Sequence, residues 1–213
     1  MTNTQANQDE LVAKVTAYVQ DYMAKYDASH DFNHIKRVVS LAHRIHDQHP
    51  STSNLDKHTI TLSALLHDVG DRKYLQPGED ASTLVSTVLL SLGADAALAS
   101  RVQTICLGVS YSSEVKNPGR VRELIAEHPE LAVVQDADRL DAIGAVGVGR
   151  CFTFTGAKNA RSMDDSILHF REKLVKLEGM MKTDAGREMA RERTQRILTF
   201  MGWWEDEAGP VVA

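Results

Sequence analysis

Residues 65–71 constrain this chain more than any other stretch, because they end an apolar helical run with ionisable side chains. The apolar residues before them recur with helical spacing and lead directly into the adjacent pair His67 and Asp68, after which Gly70 stops the run. An unpaired carboxylate at the end of a buried helix is costly. A bound divalent metal is the commonest compensation for a neutral imidazole beside a carboxylate, so this stretch is a candidate metal-binding segment.

Helical periodicity also dominates the rest of the chain. Apolar residues with helical spacing start near Leu11, again near Phe32 and in several later segments, whereas strand-type alternation is almost absent and no internal repeat occurs. The sequence therefore predicts an all-α fold. We expect long polar loops at 108–119 and 150–165, and the last two helices at about 165–181 and 184–204.

Length, charge and cysteine content bound the organisation of the chain. Its 213 residues suffice for one core, and we predict a single domain over 10–204 with flexible tails at 1–9 and 205–213. The formal net charge of −5 argues against a general nucleic-acid binder. The N-terminus has no apolar signal core, and no apolar run is long enough to span a membrane. Cys106 and Cys151 have no metal-type spacing and fit a reducing compartment, so we expect a cytoplasmic protein.

Two further segments complete a pattern with the His67-Asp68 pair. His34 ends the segment His-Asp-Phe-Asn-His, and Asp138 lies in the segment Asp-Ala-Asp-Arg-Leu. In their order and setting these motifs resemble those of the HD-domain superfamily, whose members are all-helical, metal-dependent phosphohydrolases. The resemblance covers about residues 25–145. It implies a single-domain HD-domain helical bundle and places His34, His67, Asp68 and Asp138 at the four metal-ligand positions.

The number and kind of metal ions follow from the same pattern. Asp136 is the alternative to Asp138 as fourth ligand, but the resemblance favours the aspartate immediately before Arg-Leu. Asp141, one turn later, is a candidate to orient a ligand. One metal ion is implied, because His128 is the only histidine between Asp68 and Asp138. Mixed nitrogen and oxygen ligands with open positions favour manganese, with magnesium, iron, cobalt, nickel and zinc as alternatives.

Candidate catalytic and substrate-binding residues surround these ligands. In related HD phosphohydrolases an acidic residue at the position of Asp71 orients or deprotonates the attacking water, and the resemblance implies that role here; the alternative is a loop or cap aspartate. Lys73, Arg37 and Lys173 are candidates to hold phosphate oxygens, with a solvated surface charge as the alternative for each. His30 is a candidate to contact water or substrate, or to cap a turn.

The segment Ser-Ile-Leu-His-Phe-Arg-Glu-Lys-Leu that ends at Leu174 resembles small bacterial HD hydrolases that cleave nucleoside triphosphates to monophosphate and pyrophosphate. The expected activity is therefore hydrolysis of (deoxy)nucleoside triphosphates, with a small nucleotide as the partner and no nucleic acid or membrane. The alternatives are a nucleoside 5′-monophosphate phosphatase, which shares every metal ligand, and a non-catalytic nucleotide-sensing HD protein. The oligomeric state stays open at this point.

Overall fold

The computed structural model describes residues 3–71, 75, 78–157, 162–209 and 211, and all regular structure within these ranges is helical. The all-α prediction is therefore confirmed. None of the helices in the described ranges is long and apolar enough to cross a membrane. The elements in chain order are α1 (Asn3–Met23), α2 (Phe32–Gln48), α3 (Lys57–Leu66), α4 (Leu84–Ser91), α5 (Ala96–Val109), α6 (Tyr111–Lys116), α7 (Pro118–Glu127), α8 (Glu130–Asp141), α9 (Gly144–Gly156), α10 (Met163–Glu172), a 3-10 helix (Leu174–Met180) and α11 (Asp184–Ala208).

Helix α2 lies where two buried apolar clusters meet. The first cluster joins it to α1, α3, α4 and α5 and contains Ile35 and Leu62. The second joins it to α8, α10 and α11 and contains Ile45 and Leu140. Because α2 packs against both α3 and α8, the start of α2, the end of α3 and the second half of α8 come together in the middle of the molecule.

The start of α2 is held by Asp31. The carboxylate of this N-cap residue accepts hydrogen bonds from the backbone N–H groups of Asn33 and His34, at 3.0 and 3.2 Å. An aspartate at this position satisfies backbone donors that the helix itself leaves unpaired. The cap starts the helix at Phe32, as the periodicity predicts, and fixes the backbone of His34 in the first turn.

The predicted loop at 108–119 is wrong, because most of this segment is helical. Helix α5 continues to Val109, and the short helices α6 and α7 follow almost without interruption. Ser110 caps α6 by accepting a hydrogen bond from the N–H of Ser113 at 3.4 Å, and Asn117 caps α7 by accepting one from the N–H of Arg120 at 3.1 Å. Polar residues that are typical of loops are also the residues that start helices, which is why composition alone misleads here.

Four further boundaries differ from the prediction. Helix α9 occupies 144–156 and so takes in the first part of the loop expected at 150–165. The helix expected at 165–181 divides into α10 and the 3-10 helix at Lys173. Helices α1 and α11 extend into the segments assigned to the tails; at the C-terminal end, Trp204 stacks on Phe152 with ring centroids 5.5 Å apart, and Arg171 pairs with Glu205.

Candidate metal centre

Four side chains from three separate segments converge on one point. The Nε2 atoms of His34 and His67 are 3.2 Å apart. The Asp68 carboxylate lies 3.3 Å from Nε2 of His34 and 3.5 Å from Nε2 of His67. Across from them, Oδ1 of Asp138 on α8 lies 3.6 and 3.7 Å from the same two nitrogens. The ligand atoms of His34, His67 and Asp68 all lie within 4.8 Å of one another, so one ion can reach all three.

In both histidines the hydrogen bond made by Nδ1 determines whether Nε2 carries a proton. Nδ1 of His34 lies 2.8 Å from Oδ2 of Asp141, and Nδ1 of His67 lies 2.9 Å from the carbonyl oxygen of Ala64. Both partners accept hydrogen bonds, so Nδ1 of each ring carries the proton that it donates. In the neutral rings Nε2 then carries a free lone pair, as it does in histidines that bind metals through this atom.

The centre therefore consists of acceptors that face one another. The two imidazole lone pairs and the Asp68 carboxylate lie close enough to share one ion, and Asp138 faces the same two nitrogens. Oδ2 of Asp68 is buried without a hydrogen bond from any residue that the structure describes. Acceptors at these distances repel one another unless a proton or a cation lies between them. Two nitrogen and two carboxylate oxygen donors suit a divalent transition metal, so the residues present fit the metal that the sequence motifs imply.

The centre is closed on the imidazole side and open on the carboxylate side. The side chains of His34 and His67 are 1% and 2% exposed, whereas those of Asp68 and Asp138 are 19% and 31% exposed. Among these four side chains, the two carboxylates are therefore the ones past which a substrate can approach.

The protonation of the centre reflects the same crowding of negative charge. Burial lowers the pKa of His67, but the charge of Asp68 and the hydrogen bond and charge of Asp138 raise it to about 9. Burial favours the neutral acids, yet the imidazoles of His67 and His34 hold the pKa of Asp68 and Asp138 below the usual range. In the metal-free protein a proton thus takes the place that suits a cation.

Asp141 supports His34 from behind. Its buried carboxylate accepts hydrogen bonds from Nδ1 of His34 and from Nε and Nη2 of Arg37, at 2.7 and 3.0 Å, and another from Nη1 of Arg150 at 2.9 Å. Burial opposes its ionisation, but His34 and Arg37 keep the pKa of Asp141 well below its usual range. The hydrogen bond to His34 is the contact that the orienting role predicted for Asp141 requires. Arg150 was not anticipated from the sequence.

Asp136 and Asp138 point in different directions. Asp136 is buried and accepts hydrogen bonds from the backbone N–H of Lys182, at 2.8 and 3.0 Å, and from the backbone N–H and the hydroxyl of Thr183, both at 2.7 Å. Thr183 is the N-cap of α11, so Asp136 secures the start of that helix. Asp138 is the aspartate that faces the histidines.

The predicted catalytic residue Asp71 lies on the turn directly after the His-Asp pair. Its N–H donates to the carbonyl oxygen of Asp68 at 3.3 Å. Nearby, the hydroxyl of Tyr22 accepts a hydrogen bond from the N–H of Gly70 and donates one to Glu79, both at 3.4 Å. The sequence did not single out Tyr22, whose position matches the apolar stripe of α1. Lys73 lies outside the described residues.

The other predicted substrate-binding residues occupy different places. Arg37 directs its guanidinium at Asp141, and Lys173 places its Nζ 4.6 Å above the ring centroid of Tyr111 on α6. The ring of His30 lies next to that of His34, with centroids 6.2 Å apart. Of the three, His30 is therefore the one whose side chain adjoins the metal centre.

A short hydrogen-bond chain sets the tautomer of His30. The hydroxyl of Ser29 donates to the Asp27 carboxylate and lies 2.7 Å from Nδ1 of His30, so it accepts the proton of that nitrogen. Nε2 of His30 is then an acceptor in the neutral ring. Burial lowers the pKa of His30, with Arg150 and His34 acting in the same direction and Asp68 against it. A neutral acceptor suits the O–H of a water or a sugar better than a phosphate oxygen.

Comparison with known proteins agrees with this geometry. The family model "HD domain" matches residues 31–143. The chain is 34% identical to the uncharacterized protein YpgQ of Bacillus subtilis (strain 168) over 194 residues, which cover 88% of this chain and 89% of that protein.

Solved structures extend the likeness over nearly the whole chain. The crystal structure of Bacillus subtilis YpgQ in complex with ADP is 32% identical, covers 97% of this chain and 99% of its own, and superposes with a TM-score of 0.76. An HD-superfamily hydrolase from Bacillus thuringiensis is 29% identical, covers 94% of this chain and 97% of its own, and gives a TM-score of 0.70. Since the HD-domain match spans more than half of the sequence and contains all four converging side chains, the chain belongs to the HD-domain family of metal-dependent phosphohydrolases.

Proposed function

We propose that this protein hydrolyses nucleoside triphosphates, including the deoxy forms, to monophosphate and pyrophosphate. One divalent metal, with manganese favoured, would be held by His34, His67, Asp68 and Asp138. The observation that carries this proposal is the set of four converging acceptors, two of them imidazole lone pairs fixed by Asp141 and Ala64, with a buried Asp68 oxygen that accepts no hydrogen bond from the described residues. A divalent ion bound there supplies Lewis acidity, which withdraws charge from a phosphate and promotes ionisation of water at neutral pH.

A nucleotide is the substrate class that the relatives favour. The Bacillus subtilis protein YpgQ has been crystallised with ADP, and its chain aligns with this one over almost the entire length. The charges of Asp68 and Asp138 would repel an anionic substrate that approaches past them. A bound cation neutralises this charge.

Asp71 acts on the attacking water in this proposal. It follows Asp68 by one turn, and its backbone is tied to the carbonyl of that residue. A carboxylate on the turn that follows Asp68 would serve as the general base that takes a proton from an incoming water. His30 would accept a hydrogen bond from the same water or from a sugar hydroxyl through Nε2.

Positive side chains would hold the outgoing phosphates. We assign Lys73 and Lys173 to the β and γ phosphates, because a lysine on a flexible stem serves as a mobile point charge. Arg37 contributes positive charge beside the centre while its guanidinium supports Asp141. A monophosphate phosphatase needs no positive side chains for β and γ phosphates, and this difference distinguishes the two activities.

Product analysis in isotopically labelled water tests the reaction. A panel of nucleoside triphosphates is incubated with the manganese-loaded protein in water enriched in oxygen-18 and followed by phosphorus NMR. Attack on the α phosphorus yields pyrophosphate without label and monophosphate with one labelled oxygen. Orthophosphate as the first product would refute attack on the α phosphorus and leave only a metal-dependent phosphohydrolase. Turnover of monophosphates alone would refute the proposal in favour of the phosphatase. Tight nucleotide binding without turnover would favour a sensor.

A further inference from the structure

Arg150 on α9 connects two parts of the metal centre that are distant in sequence. Its Nη1 donates to Oδ2 of Asp141 at 2.9 Å, and its Nε donates to the backbone carbonyl of Ser29 at 2.8 Å. Ser29 precedes His30, and Asp141 contacts His34. One guanidinium, only 15% exposed, therefore joins the end of α8 to the turn before α2.

Glycines allow α9 to reach this position. Gly144 starts the helix with a φ of +75°, and a Cβ on Gly147 would lie 2.2 Å from the carbonyl oxygen of Ala142. A side chain at Gly147 would collide with the backbone there, so only glycine lets α9 fold back this closely on the end of α8. Gly144 and Gly147 are thus explained by the close approach that aims the arginine at Asp141, whereas a Cβ on Gly149 would meet open space.

Arg150 and His34 share one oxygen atom. Oδ2 of Asp141 accepts from Nδ1 of His34 at 2.8 Å and from Nη1 of Arg150, and it also receives Nη2 of Arg37 at 3.0 Å. Arg37 is 36% exposed, whereas Arg150 is held on two sides by buried or backbone partners. Arg37 binds both oxygens of Asp141 from a more exposed position. Arg150 adds a less exposed contact that ties the same carboxylate to the turn before α2, where less side-chain freedom remains.

We propose that Arg150 is a positioning residue of the metal centre. It fixes Asp141 against His34, so that Nε2 of His34 points at the ion. This inference rests on the proposed metal site. Loss of a residue that hydrogen-bonds a ligand directly, as Asp141 does with His34, typically weakens metal binding about 10- to 100-fold. Arg150 acts through Asp141, so we expect a loss near the lower end of that range in Arg150→Met.

The test measures manganese affinity of the metal-stripped protein by calorimetric titration. Arg150→Met removes the charge and keeps roughly the length, and Arg150→Lys keeps the charge but replaces the two guanidinium nitrogens that reach Ser29 and Asp141 with a single nitrogen. The matched control is Arg101→Met, which removes a comparable ion pair, because Nη2 of Arg101 contacts both oxygens of Glu130 at 2.9 and 2.8 Å. The second readout is the proton NMR signal of the His34 Nδ1–H, which should exchange faster with solvent in both Arg150 variants.

We expect weaker binding in both Arg150 variants, with the lysine variant less affected, and wild-type affinity in Arg101→Met. In an Asp141→Asn background, Arg150→Met should add little further loss, since the arginine acts through that carboxylate. Affinities within about twofold of wild type in both Arg150 variants, far below the loss expected for an orienting residue, would overturn the inference. So would an equal loss in Arg101→Met, which would indicate general destabilisation. Failure of the wild-type protein to bind any metal would instead refute the proposed function.

Discussion

Replacing Asp136 and Asp138 by alanine, one at a time, should separate the contribution to stability from the contribution to metal binding within one helix. Asp136→Ala removes the acceptor for the backbone N–H groups of Lys182 and Thr183 and for the Thr183 hydroxyl. Each buried donor left unpaired costs about 1–3 kcal/mol, and water entering the vacated space recovers part of that. We therefore expect a loss of about 3–5 kcal/mol in the free energy of unfolding. For a chain of this size that corresponds to a fall in Tm of about 6–20 °C.

Asp138→Ala should behave in the opposite way. Its carboxylate is 31% exposed and faces the two histidines. Removing it relieves repulsion among acceptors, so the metal-free Tm should change by no more than about 4 °C, the equivalent of about 1 kcal/mol. Manganese affinity should fall at least about 100-fold, because a ligand is lost outright.

Two measurements on each variant decide the matter. Thermal unfolding is followed by circular dichroism in chelator, and manganese is titrated into the folded protein at a temperature well below either transition. Asp136→Ala should bind manganese with nearly wild-type affinity once folded. If Asp136→Ala lost the metal while keeping its Tm, or Asp138→Ala lost stability while keeping the metal, the two aspartates would have been assigned the wrong way round.

Three further predictions concern the same centre. His67→Ala and Asp68→Ala should each lose bound metal by elemental analysis and also lose triphosphate hydrolysis; stoichiometric metal with normal turnover in either would contradict the ligand assignment. Asp71→Asn should bind manganese normally in a calorimetric titration yet lose turnover, because the amide keeps the shape and removes the basicity; near-normal turnover would leave Asp71 as a loop residue. Burial lowers the pKa of His67, but Asp68 and Asp138 raise it to about 9. Below that pH a metal that binds must therefore displace a proton from His67. Apparent manganese affinity should accordingly rise about tenfold per pH unit from about pH 6 to 8, and a flat profile would contradict this linkage.

The converging residues could be predicted because they lie in short motifs. His34, His67 and Asp68 sit at helix ends whose apolar periodicity and cap residues are visible in the sequence. The resemblance favours Asp138 over Asp136, and the fold supplies the physical reason. Two residues apart on a helix, their side chains point about 200° away from each other, and only the packing of α8 shows which one faces α2 and which faces α11.

The supporting residues could not be predicted, for a physical reason. Arg150 reaches Asp141 because α9 folds back through a close contact at Gly147, and no local pattern reports such a contact. The spacing of Tyr22 fits an apolar stripe, although its hydroxyl accepts a hydrogen bond from the N–H of Gly70 in the turn after His67 and Asp68. Capping residues such as Ser110 were interpreted as loop residues because the same side chains favour turns and helix starts.

Pulsed electron paramagnetic resonance of the manganese-loaded protein tests the central claim most directly. The account predicts one bound Mn²⁺ per chain with hyperfine coupling to two imidazole nitrogens, those of His34 and His67. Coupling to one nitrogen should disappear in His67→Ala if any ion remains bound. An ion that shows no nitrogen coupling, or a wild-type protein that binds no manganese, would contradict the metal centre described here.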